Sequence, residues 1–168
     1  MENSNRAGIK TELVKKLRDK TGVSVMQCRK ALEETAGDIK KAEALLLQNS
    51  ALIASKKMGR TLGAGVVSSY IHSTGTMGTM VELLCETDFV AKNEEFKTLA
   101  RDIAMHISAT NPQFLNGSEV TKGSNEVALL DQPFIKNPEV TINNLIQAAT
   151  QKFGEKIELS RFVRYSIS

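Results

Sequence analysis

The spacing of apolar residues changes period once along this chain, near Gly63. Before it, Leu13, Val14 and Leu17 fall on one helical face, and Ile39, Ala42, Leu45 and Leu46 fall on another. After it, Val66–His72 and Thr79–Glu86 are rich in strand-forming residues and alternate in polarity. Side chains repeat every 3.6 residues on a helix and every two on a strand, so one regular element cannot serve both patterns. The chain therefore reads as a helical N-terminal unit followed by a mixed unit.

Punctuation within residues 1–50 supports three short helices. The first covers about Ile9 to Asp19, with Gly22 suited to a left-handed stop. Ser24 and Gln27 have the spacing of a capping box, opening a helix to about Thr35 that buries Cys28, Ala31 and Leu32. Gly37 ends it, and Asp38 caps the third helix. At about 40 residues such a bundle sits near the lower limit for folding alone. Residues 1–8 are polar and expected to be flexible. Residues 51–62 read as a basic linker, with Lys56, Lys57 and Arg60 around Met58 and Gly59; Ala51 to Ala54 either prolong the third helix or add a turn.

Residues 63–168 predict an α+β core with an antiparallel sheet packed by helices. Ser73-Thr74-Gly75 turns the first two strands into a hairpin. Phe96, Leu99, Ile103 and Ile107 give a helix over about 93–108, stopped by Asn111-Pro112. Residues 112–138 hold all three prolines and read as loops. A helix is expected over about 141–152 and a last strand over 157–167.

Composition removes several classes. No apolar run approaches the ~20 residues that span a bilayer, and Met1 to Gly8 has no signal-peptide core, so a cytoplasmic protein with no membrane partner is expected. Cys28 and Cys85, with no CxxC, give neither a disulfide framework nor a zinc site. The net charge is +3, but residues 1–60 carry 13 Lys/Arg against 7 Asp/Glu, and residues 61–168 carry 9 against 12. Lys15, Lys16, Arg18, Lys20, Arg29 and Lys30 lie on the first two helices. They read as a solvated face, a dock for an acidic partner, or the surface of a nucleic-acid or ribosome-associated module. Absence of Trp and an aromatic content of 5% weaken the nucleic-acid reading.

Catalytic chemistry finds little material. Gly63-Ala64-Gly65 precedes a strand, whereas a phosphate-cradling loop follows one and opens a helix. Cys28 reads as packing. Cys85 lacks a sequence-local base, with His72 read as solvated and His106 as exposed or as a half-buried, satisfied residue. Glu33-Glu34 and Glu94-Glu95 diverge on their helices and make no dyad. The chain is not expected to be an enzyme or to hold a cofactor. Cys85 to Ala91 is the exception to a bland reading. Either Asp88 caps the next helix and Phe89 and Val90 project from its tip, or Phe89 folds back as a hydrophobic staple; spacing alone favours the staple.

Three segments in order carry a family resemblance. Leu17-Arg18-Asp19-Lys20-Thr21-Gly22 with Cys28-Arg29-Lys30-Ala31-Leu32, then Thr87-Asp88-Phe89-Val90 with Lys92-Asn93-Glu94-Glu95-Phe96, then Leu130-Asp131-Gln132-Pro133-Phe134-Ile135, resemble the signatures of the translation elongation factor Ts family. The resemblance implies a UBA-like three-helix module, a dimerisation-type α+β core, and an exchange factor that binds the GTPase elongation factor Tu and accelerates GDP release. It implies that the loop Thr87, Asp88, Phe89 and Val90 meets the GTPase, with Asp88 and Phe89 pushing in near its magnesium and phosphate-binding elements. It also implies contacts through Arg18, Val25 and Met26, where Val25 stands at a position often held by Met. Many members carry two core subdomains and a coiled-coil insertion. This chain has length for one subdomain, so a homodimer is expected to supply the missing half.

Overall fold

A computed structural model of the chain describes residues 9–120 and 124–167. The expected flexibility of residues 1–8 lies outside the described residues, as do positions 121–123 of the proline-containing stretch. The order is α1 (Thr11–Thr21), α2 (Val25–Glu34), α3 (Ile39–Lys57), β1 (Ala64–Ile71), β2 (Met77–Cys85), α4 (Asp88–Ala91), α5 (Glu94–Thr110), β3 (Pro133–Phe134), β4 (Asn137–Thr141), α6 (Ile142–Phe153) and β5 (Glu158–Ser166). The class is α+β.

The first three helices close on one apolar cluster: Val14, Leu17, Val23, Cys28, Ala31, Leu32, Ala42 and Leu46. Their ends are set by local chemistry. Gly22 terminates α1 at φ 67°, the Ser24 hydroxyl accepts the Gln27 N–H to open α2, and the Asp38 carboxylate accepts the Lys41 N–H to open α3. Helix α3 then continues through Ala51–Lys57, which the sequence left open between helix and linker. Nothing in Asn49-Ser50-Ala51-Leu52-Ile53-Ala54 breaks a helix, and Ser50 is buried. The expected boundary at residue 50 thus falls inside a continuous helix. Its second half packs on α6, where the Ser50 hydroxyl bonds the Gln151 amide oxygen and Lys57 Nζ donates to the Gly154 carbonyl at 2.7 Å. Lys20 Nζ adds a clamp to Glu43 at 3.0 Å and to Glu139 on β4.

The sheet has the order β1-β2-β5, all antiparallel. Its inner face presents Val66, Tyr70, Val81, Leu83, Cys85, Leu159 and Phe162 to a second cluster. Phe96, Ala100, Ile103 and Ile107 of α5 cover that face, and Ile142, Ile146 and Ala149 of α6 extend the cluster. Phe96 meets Phe153 edge to face, with ring centroids 6.2 Å apart.

Two expectations need correction. Residues 112–138 are not only loop: β3 and β4 form a small hairpin. Pro133 begins one strand and Pro138 lies in a two-stranded ribbon, both positions that need no ladder N–H. His106 is completely buried, further than either the exposed or the half-buried reading placed it, and it is satisfied as the second of those readings expected. The Ile135 N–H donates to its Nδ1 at 3.4 Å, and its Nε2 pairs with Gln132 Oε1 at 3.0 Å, which makes Nε2 the protonated nitrogen. Burial holds its pKa below the usual histidine value. The hairpin that sequence missed is what satisfies the ring.

Candidate partner-docking site

Strand β2 ends at Cys85, and the chain enters α4 through Glu86 and Thr87. One turn of helix then sorts its residues by face. Val90 and Ala91 go into the core, at 3% and 7% exposure, while Phe89 projects at 82%. Phe89 is therefore not a staple, and Asp88 does not cap the long helix. The Asn93 side chain does that, accepting the Glu95 N–H at 2.8 Å. Asp88 instead pairs with Lys92 one turn on, at 2.5 Å. That hydrogen bond holds the Asp88 carboxyl below the usual carboxylate range. Both partners are exposed, so the pair is weak and exchangeable.

The base of this tip is firm. Cys85, buried under it, donates its thiol to the Thr87 carbonyl at 3.2 Å. Burial pushes the Cys85 thiol pKa up, which suits packing and disfavours a thiolate. Glu86 accepts from Arg60 Nη1 at 3.1 Å and from the Lys156 N–H at 2.5 Å. The Lys156 bond and then the Arg60 guanidinium hold the Glu86 carboxyl below its usual range. In the sequence Arg60 stands only as part of a basic linker. No local pattern marks a partner 26 residues away.

A Phe ring in water forgoes roughly 1.5–3 kcal/mol that burial would return. An aromatic held rigidly at such a tip has the character of a binding anchor. A second exposed pair, Val25 and Met26, opens α2 while Cys28, Ala31 and Leu32 of the same helix face inward. Arg18 is exposed near the end of α1. Arg18, Val25 and Met26 ride on helices packed in the first apolar cluster, whereas the Phe89 tip is fixed to the second through Val90 and Ala91. The basic face is partly matched within itself: Arg29 pairs with Glu33, Lys30 with Glu34, and Lys20 with Glu43 and Glu139.

The outer face of the sheet is a third apolar surface. Val67, Ile71, Met80, Val163 and Tyr165 are exposed there. Met80 lies between Ser69 and Val163, and Gly78 lies between Ile71 and Tyr165. A Cβ at Gly78 would stand 2.5 Å from Ile71 Cδ1, so the glycine lets that row close up. Glu82 and Arg161 make a cross-strand ion pair at 2.8 Å beside it.

The sequence model of the family described as Elongation factor TS matches residues 12–124. The chain is 40% identical to the Elongation factor Ts of Carboxydothermus hydrogenoformans over 193 aligned positions, covering 95% of this chain and 89% of that protein. It is 42% identical to the Elongation factor Ts of Thermodesulfovibrio yellowstonii over 192 positions, covering 95% and 96%. For the Elongation factor Ts of Desulforamulus reducens the identity is 40% over 195 positions, covering 96% and 90%. These alignments run longer than the 168 residues of the chain, so those relatives hold residues with no counterpart here.

Proposed function

The chain belongs to the elongation factor Ts family, and from that premise we propose that it binds the GTPase elongation factor Tu with GDP bound and promotes release of the nucleotide during translation elongation. The observation that carries the reading is Phe89, 82% exposed on a turn whose next two residues are buried in the core. Exchange requires no bond-making on this chain, only a difference in affinity. A factor that binds the nucleotide-free GTPase better than the loaded one shifts the GTPase toward the empty state. A wedge does this when the loaded form has no room for it. Asp88 and Phe89 are the two residues of the loop placed to touch the partner. Asp88 brings a carboxylate toward the partner's magnesium and phosphate-binding elements, and Phe89 brings bulk. Val90 acts from beneath, by fixing the turn to the core, and Thr87 fixes its entry. Arg18, Val25 and Met26 supply the second contact, which tethers the GTPase while the wedge enters.

Linkage fixes the sign of the test. If the factor lowers GDP affinity, GDP must lower the factor's affinity by the same ratio. Capture of elongation factor Tu on the immobilised chain is expected to fall when GDP is added in excess. Equal capture with and without GDP would remove the exchange reading and leave simple binding.

We also propose that a second copy of the chain seats on the outer sheet face. Five exposed apolar residues on one uncovered sheet surface form a patch that a twofold axis can pair with itself. Sedimentation at micromolar concentration is expected to give the mass of two chains for the wild type and of one chain for Met80→Glu. A single-chain mass for the wild type sinks the dimer.

A further inference from the structure

We propose that Glu155 is a positioning residue for the Phe89 wedge, a role that rests on the wedge reading above. Glu155 lies in the turn after α6, where Gly154 takes the left-handed conformation at φ 72° that ends the helix. From there its carboxylate reaches back 68 residues in sequence to the entry of α4. Oε2 accepts the Glu86 N–H at 3.1 Å and the Thr87 N–H at 3.0 Å, and Oε1 accepts the Thr87 hydroxyl at 2.6 Å. All three bonds are charge-assisted.

The neighbouring turn receives the same treatment in return. The Glu86 carboxylate accepts the Lys156 N–H, and Arg60 holds that carboxylate from the end of the linker. Each turn thus lends a carboxylate to cap the other's backbone. Lys57 adds a bond to the Gly154 carbonyl, so the end of α3 grips the same turn.

This arrangement answers a physical need. Helix α4 has four residues, too few to hold its own shape, since the first turn of a helix fixes many dihedrals for little return. Thr87, at its cap position, makes no side-chain cap bond to the helix. Its hydroxyl is committed to Glu155 instead. The direction in which Phe89 points is therefore set by an interlock between two distant turns. Buried Val90 and Ala91 resist the wedge from below, and Glu155 fixes its entry.

The chain contains no Trp, so Phe89→Trp installs a single tryptophan at the tip, which excitation beyond the tyrosine band reads alone. In that background Glu155→Gln is expected to add a fast component to the anisotropy decay of Trp at position 89, while the Tm and the far-UV spectrum hold. A glutamine carries no charge, so the bonds to both backbone N–H groups lose their charge assistance, and its NH2 can meet the Thr87 hydroxyl only with the direction of that bond reversed. In the chain carrying Phe89, Glu155→Gln is expected to slow stimulated GDP release by roughly ten- to a hundredfold, the scale on which small misplacements act. Thr87→Val is expected to slow it similarly alone and to add nothing to Glu155→Gln, whereas Thr87→Ser, which keeps the hydroxyl, restores the rate. Wild-type exchange by Glu155→Gln overturns the inference. So does an exchange loss that follows a fall in Tm with the anisotropy decay unchanged, since that marks a merely structural residue. Phe89→Ala serves as the control: if it exchanges normally, the wedge reading itself has failed, and the positioning role falls with it. If it is slow and Glu155→Gln is not, only the positioning role has failed.

Discussion

Phe89→Ala is expected to slow stimulated GDP release by on the order of 30- to 1,000-fold, the rate equivalent of roughly 2–4 kcal/mol at an aromatic anchor. The same substitution leaves Tm within a degree or two. The two halves of this expectation come from one number. At 82% exposure the ring fills no space in the fold, so its removal opens no cavity. Most of its apolar surface is available to a partner instead. Release of a fluorescent GDP analogue from elongation factor Tu measures the first half, and a thermal melt measures the second. The loss should remain at saturating factor if Arg18, Val25 and Met26 act as the proposed tether, because the complex then still forms while the step that excludes nucleotide is missing. A variant that merely needs more protein to reach the wild-type rate assigns Phe89 to tethering and removes it from the wedge role.

The parts of this fold legible in the sequence are those whose signal is local. Gly22, Ser24 and Asp38 mark helix ends through φ or a short side-chain bond, and each acts within three residues of its own position. The period change near Gly63 separates helices from sheet because burial on one face imposes the element's own repeat. What sequence left open depends on distant partners. Asp88 and Asn93 are both competent caps, and only the break after Ala91 decides that Asn93 starts the long helix. His106 is satisfied by Gln132 and by the Ile135 N–H, which a proline-spaced hairpin delivers. The alternation of β1, β2 and β5 shows that each has two faces, yet not which face a helix covers. The exposed row through Met80 and Val163 became visible only with the topology. For the site, Phe89 was legible as an aromatic out of pattern, but its direction was not. Glu155 and Arg60, which fix the loop that carries it, carry no signal near residue 87 at all.

Leu32→Ala tests how far the two apolar clusters stand or fall together. Leu32 is completely buried in the smaller cluster, and truncating such a side chain costs about 2–5 kcal/mol. A bundle of about 40 residues has little stability to spare. The larger cluster does not include Leu32, and the sheet and α5 keep every contact within it. Helix α3 lies between, with its first half in the bundle and its second half fastened to α6 through Ser50–Gln151 and Lys57–Gly154. Native-state hydrogen exchange is therefore expected to show α1 and α2 amides losing on the order of 30-fold or more of their protection, the factor that 2 kcal/mol represents. The amides of β1, β2 and β5 keep theirs, and α3 divides, with loss near Ile39 and retention near Ser50. Under the proposed tether, affinity for elongation factor Tu is expected to drop, because Arg18, Val25 and Met26 ride on the loosened helices. The exchange rate within whatever complex still forms stays near wild type, since Phe89 is held by the other cluster. Uniform loss of protection through the sheet would show instead that α3 couples the clusters into one cooperative unit. In that case a partner that grips the N-terminal bundle would act on the wedge as well.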